Sequence, residues 1–306
     1  MSIEIIQPTD EQHWLECRTK DITSTEISAL FGFSPYMTEF ELWHRKKEGT
    51  VVRLEENERM EWGTALQDAI AAKIAKKNGW TIRRMNEYIR QPGYNLGASF
   101  DFEITFADGT KALLEIKNVD GLQFKNGWKE DEDGNIEAPL HIEIQVQQQL
   151  LVSELKVCYI GALVGGNRLV LIKREYNDRV GLKILEKAAA FWMSIENNET
   201  PSPNFVKDAE FIAKLYGFAD PGKLIDVTGN EEFIHLAREH KRLGEIMRDA
   251  DAQRDALKAQ MLMIIGDAEK VEGGEFSISA GMIAGGHVAY DRKPYRNFKP
   301  SWRKAK

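Results

Sequence analysis

Two acidic residues and a lysine stand where one β-hairpin would gather them. Asp101 lies in the segment GASFDF, and Glu115-Ile116-Lys117 follows a turn signal centred on Asp108-Gly109. Glycine adopts the positive φ of a tight hairpin turn at little cost. Side chains of a strand alternate between two faces, so the apolar residues at alternate positions leave the acids, Glu103 among them, together with Lys117 on the other face. The spacing therefore predicts a charged cluster on one hairpin.

The predicted register of this hairpin depends on the loop between its strands. A three-residue loop over residues 108–110 would place Lys117 opposite Asp101. The same loop would place Glu115 opposite Glu103, and cross-strand partners lie about 5 Å apart. An ordinary antiparallel edge, with one dry face and one solvated, charged face, gives the same pattern. Spacing alone leaves both interpretations open.

The chemistry that such a cluster supports is phosphoryl hydrolysis. Two converging carboxylates repel each other unless a divalent cation lies between them, and hard oxygen ligands suit Mg²⁺ or Mn²⁺. The cation neutralises charge on the phosphoryl oxygens, and a lysine beside it can orient and help deprotonate the attacking water. Asp101, Glu115 and Lys117 are therefore candidate catalytic residues.

A glutamine-rich helix is predicted after this hairpin. The segment 139–152, PLHIEIQVQQQLLV, begins with a proline suited to an early helical position. Ile142, Val146 and Leu150 recur at helical spacing and form an apolar stripe. The glutamines at positions 145, 147, 148 and 149 are either ordinary solvent-exposed side chains or amide donors to phosphate oxygens and metal-bound water.

The order of these motifs resembles the lambda exonuclease family, whose members are also described as YqaJ-like viral recombinases. This family lies within the nuclease superfamily whose signature is an acid followed by (D/E)-x-K. Asp101, Glu115-Ile116-Lys117 and Gln145-Val146-Gln147 follow one another here in the family's order. The combination is far more specific than any single motif.

Two segments nearer the N-terminus agree with the resemblance. Trp14 and Arg18 precede Thr23-Ser24-Thr25-Glu26-Ile27 and Phe31-Gly32-Phe33-Ser34-Pro35, which are similar to the family's first helix and turn. Trp62-Gly63-Thr64-Ala65-Leu66-Gln67 then opens a helix, as it does in the family. The similarity covers roughly residues 8–205.

The resemblance implies a restriction-endonuclease-like α/β core with a mixed central sheet flanked by helices. This nuclease core is predicted over residues 1–205 and ends at a linker marked by Pro201-Ser202-Pro203. Residues 206–306 are predicted to form a mostly helical C-terminal appendage.

The resemblance also implies an activity. It is that of a Mg²⁺-dependent exonuclease, with Mn²⁺ able to substitute, that degrades one strand of double-stranded DNA from a 5′ end. The remaining 3′ single strand would serve a phage-type single-strand annealing protein, and the family's ring-shaped assemblies imply a homotrimer. Two rival interpretations stay open, namely an endonuclease of the same superfamily and a DNA-end-binding protein whose catalysis has weakened.

Residue roles follow from the same resemblance. It implies metal ligands at Asp101, Glu115 and the Ile116 carbonyl. It implies that Lys117 positions the attacking water with support from Gln147. The DNA-binding residues that it implies are Arg18 and Ser24 at the 5′-phosphate, together with Ser99, Gln67 and Gln145.

Two positions depart from the family's pattern. Phe100 and Phe102 flank the first aspartate, where the family usually has proline and glycine. Gln67 stands where the family's helix usually carries glutamate, and an amide can bind a metal-bound water but supplies no negative charge. Whether Gln67 itself or Glu103 takes over the role of that glutamate stays open.

Composition restricts the class of protein. The 306 residues, 42% of them hydrophobic and seven of them tryptophan, suffice for one large domain and a smaller one. Two cysteines, Cys17 and Cys158, cannot supply the four ligands of the superfamily's iron–sulfur enzymes and favour a reducing compartment. Because no apolar run is long enough to span a bilayer and no targeting segment is evident, we expect a cytoplasmic protein. The resemblance implies a bacterial host cell and a gene carried by a phage or prophage.

Charge is distributed unevenly along the chain. A net charge of −7 opposes nonspecific coating of DNA but permits a basic channel inside an acidic surface. The tail over residues 291–306 mixes seven basic residues with Tyr295, Phe298 and Trp302. This pattern is typical of nucleic-acid contacts and equally of a docked tail whose lysines extend to solvent.

A long helix is predicted from a capping box at Thr228-x-x-Glu231 to about Ile265. Leu236, Leu243 and Leu257 fall in one seven-residue period. The period supports either a coiled coil or a long helix packed on its own domain.

Overall fold

The computed structural model describes residues 2–49, 51, 57–132, 134–287, 292, 295–298 and 300. The chain divides into two compact units, Met1–Ile212 and Ala213–Lys306. The predicted boundary between residues 205 and 206 therefore lies inside the first unit. The Thr38 hydroxyl donates to the fully buried Asp208 carboxylate, and the Phe211 ring meets Phe40 edge-on with centroids 6.0 Å apart. The segment after the proline-rich stretch thus still packs on the first unit.

Helices make up a large share of the described chain. Those before the long C-terminal helix are α1 (Glu11–Thr19), α2 (Ile27–Leu30), α3 (Glu39–Glu48), α4 (Glu58–Asn78), α5 (Gly121–Gly127), α6 (Leu140–Ser153), α7 (Asp178–Glu196) and α8 (Ala209–Leu215). A single 3₁₀ turn spans Pro92–Tyr94. The second unit contains α9 (Glu231–Ile265).

Strands of the first unit form two main sheets. They are β1 (Glu4–Ile6), β2 (Ile22–Thr23), β3 (Thr81–Arg84), β4 (Tyr88–Gln91), β5 (Leu96–Ser99), β6 (Phe102–Thr105), β7 (Lys111–Val119), β8 (Lys129–Glu130), β9 (Ile136–Glu137), β10 (Val157–Val164) and β11 (Arg168–Glu175). A five-stranded sheet has the order β11-β10-β7-β6-β3, in which the β10–β7 pair is parallel and the other pairs are antiparallel. A four-stranded sheet has the order β1-β4-β5-β2, and β8 pairs with β9. The predicted α/β class with a mixed sheet flanked by helices is confirmed.

Two helices cover opposite faces of the five-stranded sheet. Ile70 and Ile74 of α4 pack in one cluster with Leu114 and Ile116. The other face of β7, through Leu113, belongs to the main core cluster that also contains apolar residues of α6. Gly161 of β10 lets α4 approach, because a Cβ there would lie 2.4 Å from Ile74 Cδ1. The β6–β7 hairpin of this sheet therefore lies between α4 and α6.

The chain before and after Asp101 forms two separate strands. β5 belongs to the four-stranded sheet and β6 to the five-stranded sheet, with the change of sheet at Phe100 and Asp101. Phe100 and Phe102 are two residues apart, yet they pack in different core clusters. In a continuous strand these side chains would share a face, so the chain turns at Asp101.

The predicted register of the β6–β7 hairpin is wrong. β6 and β7 pair Phe102 with Leu114 and Glu103 with Leu113, so one further step places Asp101 level with Glu115. The loop occupies residues 107–109, because the Phe106 N–H donates to the Thr110 carbonyl at 2.9 Å. Gly109 takes the positive φ of 82° at the last loop position rather than the middle one.

The second unit contains α9 and the pair β12 (Lys270–Glu272) and β13 (Ser277–Ser279). α9 begins one residue after its N-cap Asn230, whose side chain accepts the Phe233 N–H at 2.9 Å. The predicted cap Thr228 instead donates its hydroxyl to Asp226. In the tail, the Phe298 ring meets His240 of α9 at 6.0 Å, while Trp302 lies outside the described residues.

No helix within the described ranges combines the length and the apolar character needed to cross a membrane.

Candidate active site

Asp101 lies at the junction between β5 and β6, where the chain changes sheets. One carboxylate oxygen, Oδ2, accepts the Ile116 backbone N–H at 2.7 Å. The other, Oδ1, accepts the Gln67 side-chain amide at 3.2 Å. The first bond anchors the carboxylate to β7, and the second ties it to α4. β7 and α4 therefore both fix the direction of the Asp101 side chain.

Glu115 is the buried centre of the site, with 5% of its surface exposed. Its Oε1 accepts Lys117 Nζ at 2.7 Å and Gln145 Nε2 at 2.7 Å. Its Oε2 accepts Gln149 Nε2 at 2.8 Å. A buried carboxylate needs such donors, because its desolvation is otherwise very costly. Glu115 is therefore oriented by one charged and two neutral groups.

Lys117 links the acids to the glutamine helix. Its Nζ also donates to Gln145 Oε1 at 3.2 Å, and about a quarter of the side chain, 24%, is exposed. Burial alone would lower the pKa of Lys117, but the adjacent Glu115 carboxylate raises it above its ordinary value. The ammonium group is therefore charged, fixed in direction and open to the exterior on one side.

The carboxyl group of Asp101 has a strongly perturbed pKa. Burial, followed by the charge of Glu115, raises the pKa of Asp101 to about 7, while the bond from the Ile116 N–H acts in the opposite direction. Two acids that disfavour simultaneous ionisation make a site that a divalent cation would stabilise. The residues present therefore fit Mg²⁺ or Mn²⁺. Within the described residues no three His, Cys, Asp or Glu side chains converge on one point, so further ligands would be neutral oxygens and water.

The glutamines of α6 contact different groups. Gln145 contacts Lys117 and Glu115, although the resemblance implies a DNA-binding role for it. Gln147 does not reach them: its Nε2 donates to the Glu175 carbonyl at 2.9 Å, and its Oε1 accepts the Asn177 N–H at 2.8 Å. The predicted support of Lys117 by Gln147 is absent, because residues two apart on a helix point to different sides.

Gln149 is a site residue that the sequence reasoning missed. It lies four residues after Gln145, so the two side chains occupy the same face of α6. Its amide donates both to Glu115 and to the Ser99 carbonyl, the latter at 3.2 Å. Its Oε1 is buried and has no hydrogen-bond partner within the part of the chain that the structure describes. The spacing of four from Gln145 was the signal that could have identified it.

Gln67, rather than Glu103, stands beside Asp101. Gln67 accepts Arg84 Nη1 at 3.3 Å while donating to Asp101, so its orientation is fixed from both ends. Glu103 instead pairs with Lys111 at 2.9 Å and with Arg83 at 3.6 Å. The hypothesis that Glu103 compensates for the missing helix carboxylate therefore lacks the required proximity.

The predicted DNA-binding residues near the N-terminus make hydrogen bonds with β5 and with neighbouring side chains. The Arg18 guanidinium lies over the Trp14 ring at 4.4 Å and donates to the Thr25 hydroxyl at 3.4 Å. Trp14 Nε1 donates to the Ser99 hydroxyl at 2.8 Å, which leaves that hydroxyl engaged on α1. Ser24 is buried, and its N–H donates to the Gly97 carbonyl at 3.1 Å. Arg18 itself is partly exposed.

Solved structures with a similar course of the chain include two exonucleases. The alkaline exonuclease LHK-Exo from Laribacter hongkongensis has a TM-score of 0.47 and 18% identity, over 67% of this chain and 99% of its own. A phage-related exonuclease from Haemophilus somnus has a TM-score of 0.40 and 10% identity, over 58% of this chain and 94% of its own.

Sequence comparison gives a relative and a family. The uncharacterized protein YqaJ of Bacillus subtilis is 29% identical over 262 residues, which make up 84% of this chain and 78% of that protein. The model of the YqaJ-like viral recombinase domain matches residues 13–156, a range that contains the Asp101–Glu115–Lys117 cluster and α6. Residues 13–156 of this chain are therefore similar to the YqaJ-like viral recombinase domain.

Proposed function

We propose that this protein is a metal-dependent deoxyribonuclease that degrades one strand of double-stranded DNA from its 5′ end. The observation that carries the proposal is the convergence of Asp101 and Glu115 with Lys117 held at 2.7 Å from the Glu115 carboxylate. Converging acids and a fixed lysine match the needs of phosphodiester hydrolysis. The match to a viral recombinase domain supports DNA as the substrate.

Mg²⁺, with Mn²⁺ as a substitute, would be held by Asp101, Glu115 and the Ile116 carbonyl. When bound, the ion supplies charge neutralisation at the scissile phosphate and acidifies water. Lys117 orients the attacking water from its exposed side, because Glu115 and Gln145 fix its Nζ from the buried side. Gln67 keeps the Asp101 carboxylate in place without adding charge.

Polarity and products complete the proposal. Arg18, which is partly exposed, would receive a terminal 5′-phosphate, since a guanidinium fork favours a phosphate. The surviving 3′ strand would pass to a single-strand annealing protein. A homotrimeric ring would keep the enzyme on the duplex.

The test compares linear and covalently closed circular duplex DNA in Mg²⁺ and in EDTA. An exonuclease releases nucleotides from 5′-labelled linear ends in Mg²⁺ alone and leaves the circle intact. Cleavage of the circle would favour an endonuclease. Binding of ends without hydrolysis would favour a DNA-end-binding protein, the alternative that Gln67 raises.

Matched variants assign the chemistry to the site. Glu115→Gln should abolish hydrolysis, while Glu103→Gln on the neighbouring strand should retain it, because Glu103 pairs with Lys111 away from the site. Arg18→Ala should erase any preference for 5′-phosphorylated over 5′-hydroxyl ends. Unchanged activity in Glu115→Gln would overturn the site assignment.

A further inference from the structure

One face of α6 runs from the acidic centre to the protein surface. Gln149, Gln145 and His141 are spaced by four residues, so their side chains follow one another along that face. Gln149 and Gln145 both contact Glu115. His141 is the outermost of the three and lies in the first turn of the helix. It therefore stands one helical turn from the lysine contact of Gln145.

An exposed tyrosine meets this histidine. The Tyr36 and His141 rings lie edge to face, with centroids 5.9 Å apart and planes at 89°. Tyr36 keeps 74% of its surface exposed. The Ser34 hydroxyl accepts the backbone N–H groups of Tyr36 and Met37 at 3.2 and 3.3 Å, so a local turn fixes the backbone that carries the ring.

The helical face of α6 links these rings to the lysine. Gln145, one turn after His141, accepts Lys117 Nζ at 3.2 Å, and burial lowers the pKa of His141. The two rings therefore lie at the edge of a charged site.

Core packing does not explain the exposed ring. Two further apolar side chains nearby in sequence, Phe33 and Leu140, are 47% and 55% exposed. Exposed apolar side chains on both segments that meet at the Tyr36–His141 contact are typical of a binding surface. Neutral rings do not attract phosphate, but they stack on bases of any sequence. A nuclease that degrades DNA irrespective of sequence needs that kind of contact.

We propose that Tyr36 and His141 form a subsite for the nucleobase next to the scissile phosphate of the strand being cut. The proposal rests on the proposed function. Tyr36 supplies the stacking face, and His141 holds the Tyr36 ring at right angles. The subsite would fix the register of the strand, so that each phosphate in turn meets Lys117 and the acids.

The test uses duplex DNA with 2-aminopurine at the 5′-terminal position, bound in EDTA so that no hydrolysis occurs. Stacking quenches this base, so the wild-type protein should lower its fluorescence and Tyr36→Phe should do the same. Tyr36→Leu, which keeps apolar bulk without a ring, should restore the fluorescence and weaken binding by about tenfold. His141→Ala should lower the quenching partly.

Tyr216→Ala provides a matched control, since Tyr216 is a 62% exposed tyrosine of the second unit. With this variant, the 2-aminopurine fluorescence and the DNA affinity should equal those of the wild type. Equal melting temperatures would show that all variants fold. Quenching and affinity in Tyr36→Leu that equal the wild type would overturn the subsite. Absence of hydrolysis by the wild type in Mg²⁺ would instead contradict the proposed function, so the two failures are distinguishable.

Discussion

At the scale of residues, the site solves the problem of a buried carboxylate with neutral amides. Glu115 receives one ammonium and two glutamine donors, and charge-assisted hydrogen bonds of this kind are roughly twice as strong as neutral ones. Additional cations would compete with a divalent metal for the same oxygens. Amides avoid that competition, because they orient the carboxylate without neutralising it.

Gln149→Met should remove a donor that orients the Glu115 carboxylate without changing the charge of the site. The substitution leaves Glu115 Oε2 without its donor, so we expect kcat/KM to fall by about tenfold and the Mg²⁺ concentration for half-maximal activity to change. Gln147→Met on the same helix provides the control. It should lower the melting temperature, because Gln147 ties α6 to the connection between β11 and α7. The Mg²⁺ dependence should stay unchanged. A change in Mg²⁺ dependence in Gln147→Met but not in Gln149→Met would show that Gln147 belongs to the site.

The pKa of Asp101 predicts a pH-dependent stability without metal. Its folded pKa of about 7 exceeds the ordinary 3.8, so the protonated form contributes stability that is fully present below about pH 4. That contribution is lost as the pH rises through 7, because the folded state must give up a proton it holds tightly. In EDTA, Asp101→Asn should therefore melt above the wild type at pH 8, and the difference should shrink towards pH 4.

Mg²⁺ should reverse this order at pH 8. The ion binds the ionised carboxylates, so it should raise the melting temperature of the wild type and of Glu103→Gln but not that of Asp101→Asn. Thermal unfolding monitored by circular dichroism measures the three proteins in Mg²⁺ and in EDTA, six combinations in all. A pH profile of Asp101→Asn that parallels the wild type would show that another group carries the titration.

At the scale of elements, the sequence predicts locally determined features better than long-range strand pairing. The helix predicted over residues 139–152 is α6, Leu140–Ser153, and the long helix predicted to end at about Ile265 ends there, because proline, cap and turn residues act locally. The hairpin register failed because it depends on which loop residue takes positive φ. The change of sheet at Asp101 was missed because alternation continues through Phe100 and Phe102 while their packing partners differ.

The same limit applies to the site. Asp101, Glu115 and Lys117 were predicted together with Gln147, whereas the structure brings Gln145 to Glu115 and Lys117 instead. Gln147 was preferred to Gln149 because the motif names it, although a spacing of four from Gln145 favours Gln149. Which glutamine meets Glu115 depends on how α6 is rotated against β7, and that rotation is set by its packing.

Gly161 tests how α4 is held against the sheet. A Cβ at this position would lie 2.4 Å from Ile74 Cδ1, so Gly161→Ala should destabilise the fold by about 1–3 kcal/mol through overpacking. Adding Ile74→Val removes the obstructing methyl and should recover much of the loss. Gly63→Ala is the control, because its Cβ would meet nothing within 4 Å. Denaturant titration gives each free energy of unfolding, and additive effects of the two substitutions would contradict the contact.

At the scale of the whole molecule, the two units differ in how they use apolar residues. The first unit buries them in two clusters around the five-stranded sheet. α9 of the second unit has no buried residue along its described length, and Leu236, Leu243 and Leu257 are 59%, 51% and 58% exposed. The chemistry proposed here draws only on residues of the first unit.

Truncation should therefore preserve hydrolysis if it respects the observed packing. A chain ending at Gly217, after α8, retains Asp208 and Phe211 and should still degrade duplex ends. A chain ending at Phe205 loses the Asp208 carboxylate, which is fully buried and accepts from Thr38 and from the Asn204 N–H. Because loss of a buried, paired acid leaves its donors unsatisfied, the shorter chain should melt at a lower temperature. Asp208→Ala in the full-length chain should reproduce most of that decrease, since it removes the same contacts while leaving the second unit in place. Equal melting temperatures for the two truncated chains would show that residues 206–217 do not stabilise the first unit.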